Sequence, residues 1–189
     1  MYTLGHAAIN LAMIGSFGDR SAGYAVLAGA ILPDVPIAIL YIRERARGMP
    51  VDAIWRGPYQ QRFWQNCIHG IHSIPLAVPG LAVAVVSRSP IVLAFFASML
   101  LHLIVDFFVH AEDAHRQFLP FSQYRFISPI SYWDVRHHGR LIAFLEGLAV
   151  FVSTGLLWLR TESWVERGAL ALVDVWYLVN YWRSFLRRV

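Results

Sequence analysis

The stretch LLHLIVDFFVH carries His102, Asp106 and His110 at intervals of four residues. On a helix that spacing puts imidazole, carboxylate and imidazole on one stripe. Histidine with aspartate is a ligand set suited to a borderline or hard divalent ion. An ionisable stripe on an apolar helix is costly unless it faces a bundle interior or a wet cavity. The rival reading is an aspartate paired with histidine only to satisfy its charge, with His110 as an interface residue at the helix end.

Three further segments offer matching chemistry. Pro33-Asp34-Val35-Pro36 interrupts an apolar run. Each proline removes a backbone donor and crowds the preceding turn, so the helix should break there and leave Asp34 beside freed carbonyls. The alternative is a plain kink with a solvated aspartate. His69 and His72, in HGIHS, are three apart and would point toward one site if helical. A helix starting near Ser73 would also offer free N–H groups to an anion, whereas the bland reading is a pair of interfacial histidines. His6 is followed by no other polar residue until Asn10. His6, Asp34, His72, His102 and Asp106 thus lie on four segments at similar depth, which is what a metal site inside a helical bundle requires.

A loop could complete such a site. Residues 118–140, FLPFSQYRFISPISYWDVRHHGR, are aromatic and punctuated by proline. As a lid they would bring Asp134, His137 and His138 toward the pocket as acid or base, with Arg125, Arg136 and Arg140 to hold an anionic group. The alternative is an interfacial loop anchored by Phe, Tyr and Trp.

The elements that must position these residues are membrane helices. Of 189 residues 57% are hydrophobic, and mean hydropathy is +0.49, against roughly 45–50% apolar usage in soluble domains. Six apolar segments are legible, at 4–18, 22–42, 68–86, 91–110, 141–159 and 165–184. The second, fourth and fifth reach the roughly 20 residues that cross a bilayer, while the first and third are short. The sixth carries Asp174, Asn180 and Arg183 among aromatic residues and could lie in the interface. The expected fold is therefore all-α, a polytopic bundle of four to six membrane helices, with residues 1–189 as a single domain and a polar pocket facing the cytoplasm.

If all six segments cross, one side holds the N-terminus, the loops 43–67 and 111–140, and the C-terminal tail. Twelve of the 16 arginines fall on that side, Arg188 among them, and four on the other, so it should be cytoplasmic. All eight histidines fall at or toward the same side, a fact not used to choose it. The chain has no lysine, and its net charge of +4 rests on arginines scattered between apolar runs, with no basic stripe that would suit nucleic acid. Its single cysteine, Cys67, excludes an internal disulfide and a thiolate cluster. The N-terminus lacks the basic region of a signal peptide and reads as a retained helix.

The order GHAAIN, LPDVP, HGIHS, HLIVD over residues 3–110 resembles the membrane-bound metal-dependent hydrolases, the YdjM-like inner-membrane proteins. That resemblance implies metal-ligand roles for His6, Asp34, His69, His72, His102 and Asp106. Pro36 stands where the family pattern has a second aspartate, and Gly70 where it has an arginine. Residues 118–140 are similar to a block in small bacterial membrane proteins that carry the same early motifs. The expectation is a hydrolase of the inner membrane, with a divalent ion, zinc or manganese, activating water against an ester or phosphoester. Membrane lipids would surround it, and a lipid could be its substrate. A transporter or proton-linked carrier is the alternative, although the far side offers only Asp19, Glu162 and Glu166 to a through-route. A haem-binding electron carrier is a third reading.

Overall fold

The computed structural model describes residues 1–15 and 20–187; Asp19 and Arg188 lie outside the described residues. Within them the chain is helical, without strands. Its α-helices are α1 (Thr3–Ile14), α2 (Arg20–Ile31), α3 (Val35–Ala46), α4 (Val51–Arg56), α5 (Arg62–Ile71), α6 (Ile74–Ser87), α7 (Pro90–Val109), α8 (Gly139–Arg160) and α9 (Trp164–Tyr181).

Four stretches are long and apolar enough to cross a membrane: Arg20–Ala46, Arg62–Ser87, Pro90–Val109 and Gly139–Arg160. Their flanks present Val83, Val86, Leu148, Val152 and Leu159 outward, the surface that a lipid environment accepts and water does not. The short first segment is α1, whose described helix ends at Ile14. The sixth is α9, which packs along α8 but carries Glu166, Arg167 and Asp174 and falls short of the apolarity of the four.

Two of the four stretches are interrupted, and the interruptions build the site. Pro33 has no N–H for the carbonyl of Gly29, so the chain tightens into a 3-10 turn at Leu32–Asp34 before α3 resumes with Val35 N–H on Leu32 O. Between α5 and α6 the chain turns at His72, and Ser73 restarts the helix by accepting from Leu76 N. By contrast α7 runs unbroken for 20 residues.

Packing is carried by small residues. α2 lies most extensively against α7, with Ala22, Ala25, Val26 and Ala94 in one buried cluster. Small side chains let membrane helices approach closely where no hydrophobic drive from water exists. α3, α4 and α5 form a separate knot at the histidine-rich end, around Leu40, Ile54, Trp64 and Ile68. That knot and the loop after α7 cover the place where both interrupted helices meet α7.

Candidate metal centre

α7 supplies His102 and Asp106, the turn after α2 supplies Asp34, and the turn after α5 supplies His72. One ligand atom from each lies within 4.8 Å of the others. His102 Nε2 is 3.2 Å from Asp106 Oδ2 and 3.8 Å from Asp34 Oδ1. His72 Nε2 is 3.9 Å from Asp106 Oδ2 and 3.7 Å from Asp34 Oδ1. Four ligands at zinc-like bond lengths would stand about 3.3–3.6 Å apart at the corners of a tetrahedron. The four measured separations, 3.2–3.9 Å, bracket that range.

The two imidazoles are oriented for the purpose. His102 Nδ1 is 2.7 Å from Ala30 O, and His72 Nδ1 is 2.8 Å from Ile68 O. A carbonyl only accepts, so both Nδ1 atoms carry a proton, and Nε2 is the ring nitrogen that each histidine turns toward the carboxylates. Those two buried Nε2 atoms have no hydrogen-bond partner. Backbone carbonyls holding the distal nitrogen of metal-binding histidines are the usual means of fixing tautomer and ring orientation. Both carbonyls come from the interrupted helices, so the breaks supply the anchors as well as the ligands. Asp34 is fixed in turn by Thr3 Oγ1, which donates to its Oδ2 at 2.5 Å. Its side chain is the most exposed of the four, at 14%, and marks the open edge of the site.

The remaining sequence candidates fall outside this quartet. His6 stands on the other oxygen of Asp106, Nε2 to Oδ1 2.9 Å, and stacks on His102 with ring centroids 3.6 Å apart. The Met1 amino group donates to the same oxygen at 2.7 Å. His69 has both nitrogens engaged: Nε2 is 2.9 Å from Gln65 Oε1, and Nδ1 accepts from Arg116 N at 3.3 Å. It therefore ties the loop after α7 to α5 and has no free lone pair for the quartet.

Asp134, His137 and His138 sit together at the start of α8. Asp134 caps the turn Val135–His137 through Arg136 N, and its carboxylate meets the Arg136 guanidinium at 2.7 Å and His137 Nδ1 at 3.2 Å. Those bonds, Arg136 foremost, hold the Asp134 carboxyl far below the usual carboxylate range. His138 takes a left-handed φ of 60°, and a Cβ on the next residue, Gly139, would stand 2.7 Å from the Asp134 carbonyl. The turn is thus tightly wound. Among the described residues no hydrogen bond or ion pair joins these three side chains to the quartet.

The loop reaches the site through other residues. Ser128 N bonds to His110 O and Tyr132 N to Val109 O, while Ile74 N bonds to Gln117 O, so the loop is stitched to the ends of α7 and α6. Tyr132 lies against His110 and Tyr2. Trp133 Nε1 donates to Asp113 Oδ2 at 2.9 Å, and the same oxygen is 2.9 Å from His110 Nδ1. Burial alone would raise the Asp113 carboxyl; the hydrogen bonds from His110 and Trp133 outweigh it and leave the group below its usual range. His115 stacks on His72 at 3.9 Å. Burial above all, with His72 and His110 beside it, pushes His115 well below the ordinary imidazole range, so it is neutral.

Asp113, Tyr132 and Thr3 have no place in the sequence reading, His115 enters only as one of the eight histidines on one side, and His110 enters as the third member of the stripe or an interface residue. Only the spacing of His110 to Asp106 was visible. No family model matches the chain, and no curated protein or solved structure gives a significant match.

Proposed function

We propose that the protein is a membrane-bound metal-dependent hydrolase acting on an ester or phosphoester at one face of the membrane. The observation that carries this reading is the pair of buried Nε2 atoms of His72 and His102, without a hydrogen-bond partner and gathered with two carboxylates. Uncompensated, such a group is expensive to bury; a divalent cation compensates it. Two imidazoles and two carboxylates suit zinc, and manganese is the hard alternative. When bound, the ion acidifies water toward about pH 7 and polarises a phosphoryl or ester oxygen.

The chain's own residues then have separate tasks. Ala30 O and Ile68 O hold the rings, Thr3 holds Asp34, and the open edge at Asp34 faces incoming substrate. His137 and His138 remain the candidates for moving a proton, with Asp134 fixing His137 and Arg136 supplying positive charge. Purified protein assayed for metal content and for hydrolysis of a panel of aryl esters and phosphoesters tests both parts. His102→Ala should lose the metal and at least about 100-fold in rate together. The His137→Ala/His138→Ala pair should keep the metal and lose about 10²–10⁴-fold in rate. Parental metal content in His102→Ala sinks the metal reading, and full activity in the double variant leaves the loop with no proton-transfer role.

We infer that α1 and α9 cross beside the four long stretches, since Met1 meets Asp106 and Tyr181 meets Arg140 at the histidine-rich end; twelve arginines then lie at that end and four at the other, which makes it the cytoplasmic face of a bacterial inner membrane. Reporter fusions after Arg56 and at the C-terminus should both give the cytoplasmic signal. A periplasmic signal from both reverses the orientation.

A further inference from the structure

Behind Asp106 lies a second group of buried donors. Ligand atoms of Asp106, His110 and His115 all stand within 4.8 Å of one another. His110 Nε2 is 3.5 Å from Asp106 Oδ1, the carboxylate oxygen that does not face His102 and His72. His110 is oriented from behind, because its Nδ1 meets Asp113 Oδ2, itself held by Trp133 Nε1. A carboxylate on the distal nitrogen of a histidine is the arrangement that raises ligand basicity and fixes the ring at metal sites. His115 is 5% exposed and its Nδ1 has no partner. Ligand atoms of this oriented imidazole, of a second imidazole whose Nδ1 has no partner, and of a carboxylate thus lie together among buried side chains.

The geometry points to a second divalent-cation site, formed by Asp106 Oδ1, His110 and His115, so that Asp106 bridges two ions. The inference rests on the quartet reading for the first ion and adds its neighbour. A carboxylate with one oxygen toward each centre is the natural bridge for paired ions about 3.5–4 Å apart, the spacing that clamps both the attacking and the leaving oxygen of an in-line displacement. Such a pair would favour the phosphoester among the proposed substrates. His6, on the Oδ1 side, and the Met1 amino group, 3.5 Å from His110 Nε2, border the same point. The amino group is the rival occupant, since it already brings a positive charge there.

Detergent-purified protein, stripped with chelator and dialysed against Zn(II) or Mn(II), decides between them by metal content per chain. The parent should hold about two ions, and His110→Ala and His115→Ala about one each. With Mn(II), the exchange-coupled paramagnetic signal of the parent should give way to a mononuclear one in both variants. Asp113→Asn keeps every ligand and should weaken only the second ion, by roughly 10–100-fold. Asp34→Ala should lose the first ion and keep the second. One ion in the parent, lost in His102→Ala and unaffected by His110→Ala or His115→Ala, overturns the second site alone. No ion in a folded parent overturns the quartet reading and this one with it.

Discussion

Asp106→Ala should abolish binding of divalent metal and, with it, any hydrolytic activity by about 10³-fold or more, the several kcal/mol that an ion contributes to stabilising transition-state charge. Among the described residues no other side chain touches as many of the candidate donors. Its Oδ2 faces His102 at 3.2 Å and His72 at 3.9 Å, and its Oδ1 meets His6 at 2.9 Å and His110 at 3.5 Å. Removing it strips the negative charge that makes a cation worthwhile among the imidazoles. The helix itself should survive, because the other residues of α7 are almost entirely apolar and its N-terminus is capped by Ser89 on Val92 N. Insertion and helical content should therefore match the parent. Metal analysis and circular dichroism on the same preparation separate the outcomes: full metal content with native helicity would show that the His102-Asp106 stripe is structural.

The parts of this site legible in the sequence are those fixed by local geometry. His102 and Asp106 are four apart on an uninterrupted helix, so their common face follows from helical period alone. Asp34 is flanked by prolines, and the break they force is present as a 3-10 turn. The sequence favoured His72 over His69, but what separates them was not legible. Reading both on one helical face assumes a helix through HGIHS, but α5 stops at Ile71 and His72 turns away at its end. What sends His69 elsewhere is the backbone of Arg116, 47 residues on. Asp113 and His115 were hidden for the same reason. They follow the end of α7, where the backbone is set by Ser128, Tyr132 and Ile74, and no local period reports such bonds. The membrane segments were read well where apolar length decided them, as in 141–159 against Gly139–Arg160. The segment at 68–86 was read short because the helix begins at Arg62, in polar residues that belong to the knot outside the apolar bundle.

Gly29→Ala should weaken metal binding by roughly 10–100-fold although residue 29 touches no ligand. Gly29 is buried on α2 where that helix crosses α7, and a Cβ there would collide with the carbonyl oxygen of Phe95, with Met99 N only 3.1 Å away. These are backbone atoms of an intact helix, so no side chain can swing aside to make room. The helices must separate instead. The next residue, Ala30, gives the carbonyl that holds His102 Nδ1, and one turn earlier Val26 O accepts from Ser98 Oγ, which also bonds to Asn10 of α1 at 2.9 Å. Moving α2 outward stretches all three helices' shared contacts and lets the His102 ring rotate off the centre. Overpacking of this kind costs about 1–3 kcal/mol, so the unfolding midpoint in detergent should fall by roughly 3–10 °C. Gly70→Ala is the matched control, since a Cβ there meets nothing within 4 Å although it lies between His69 and His72. It should leave both metal affinity and midpoint at the parental values. Should Gly29→Ala behave like Gly70→Ala, the close approach of α2 to α7 is not what orients His102, and the ring must be held by the metal ligands alone.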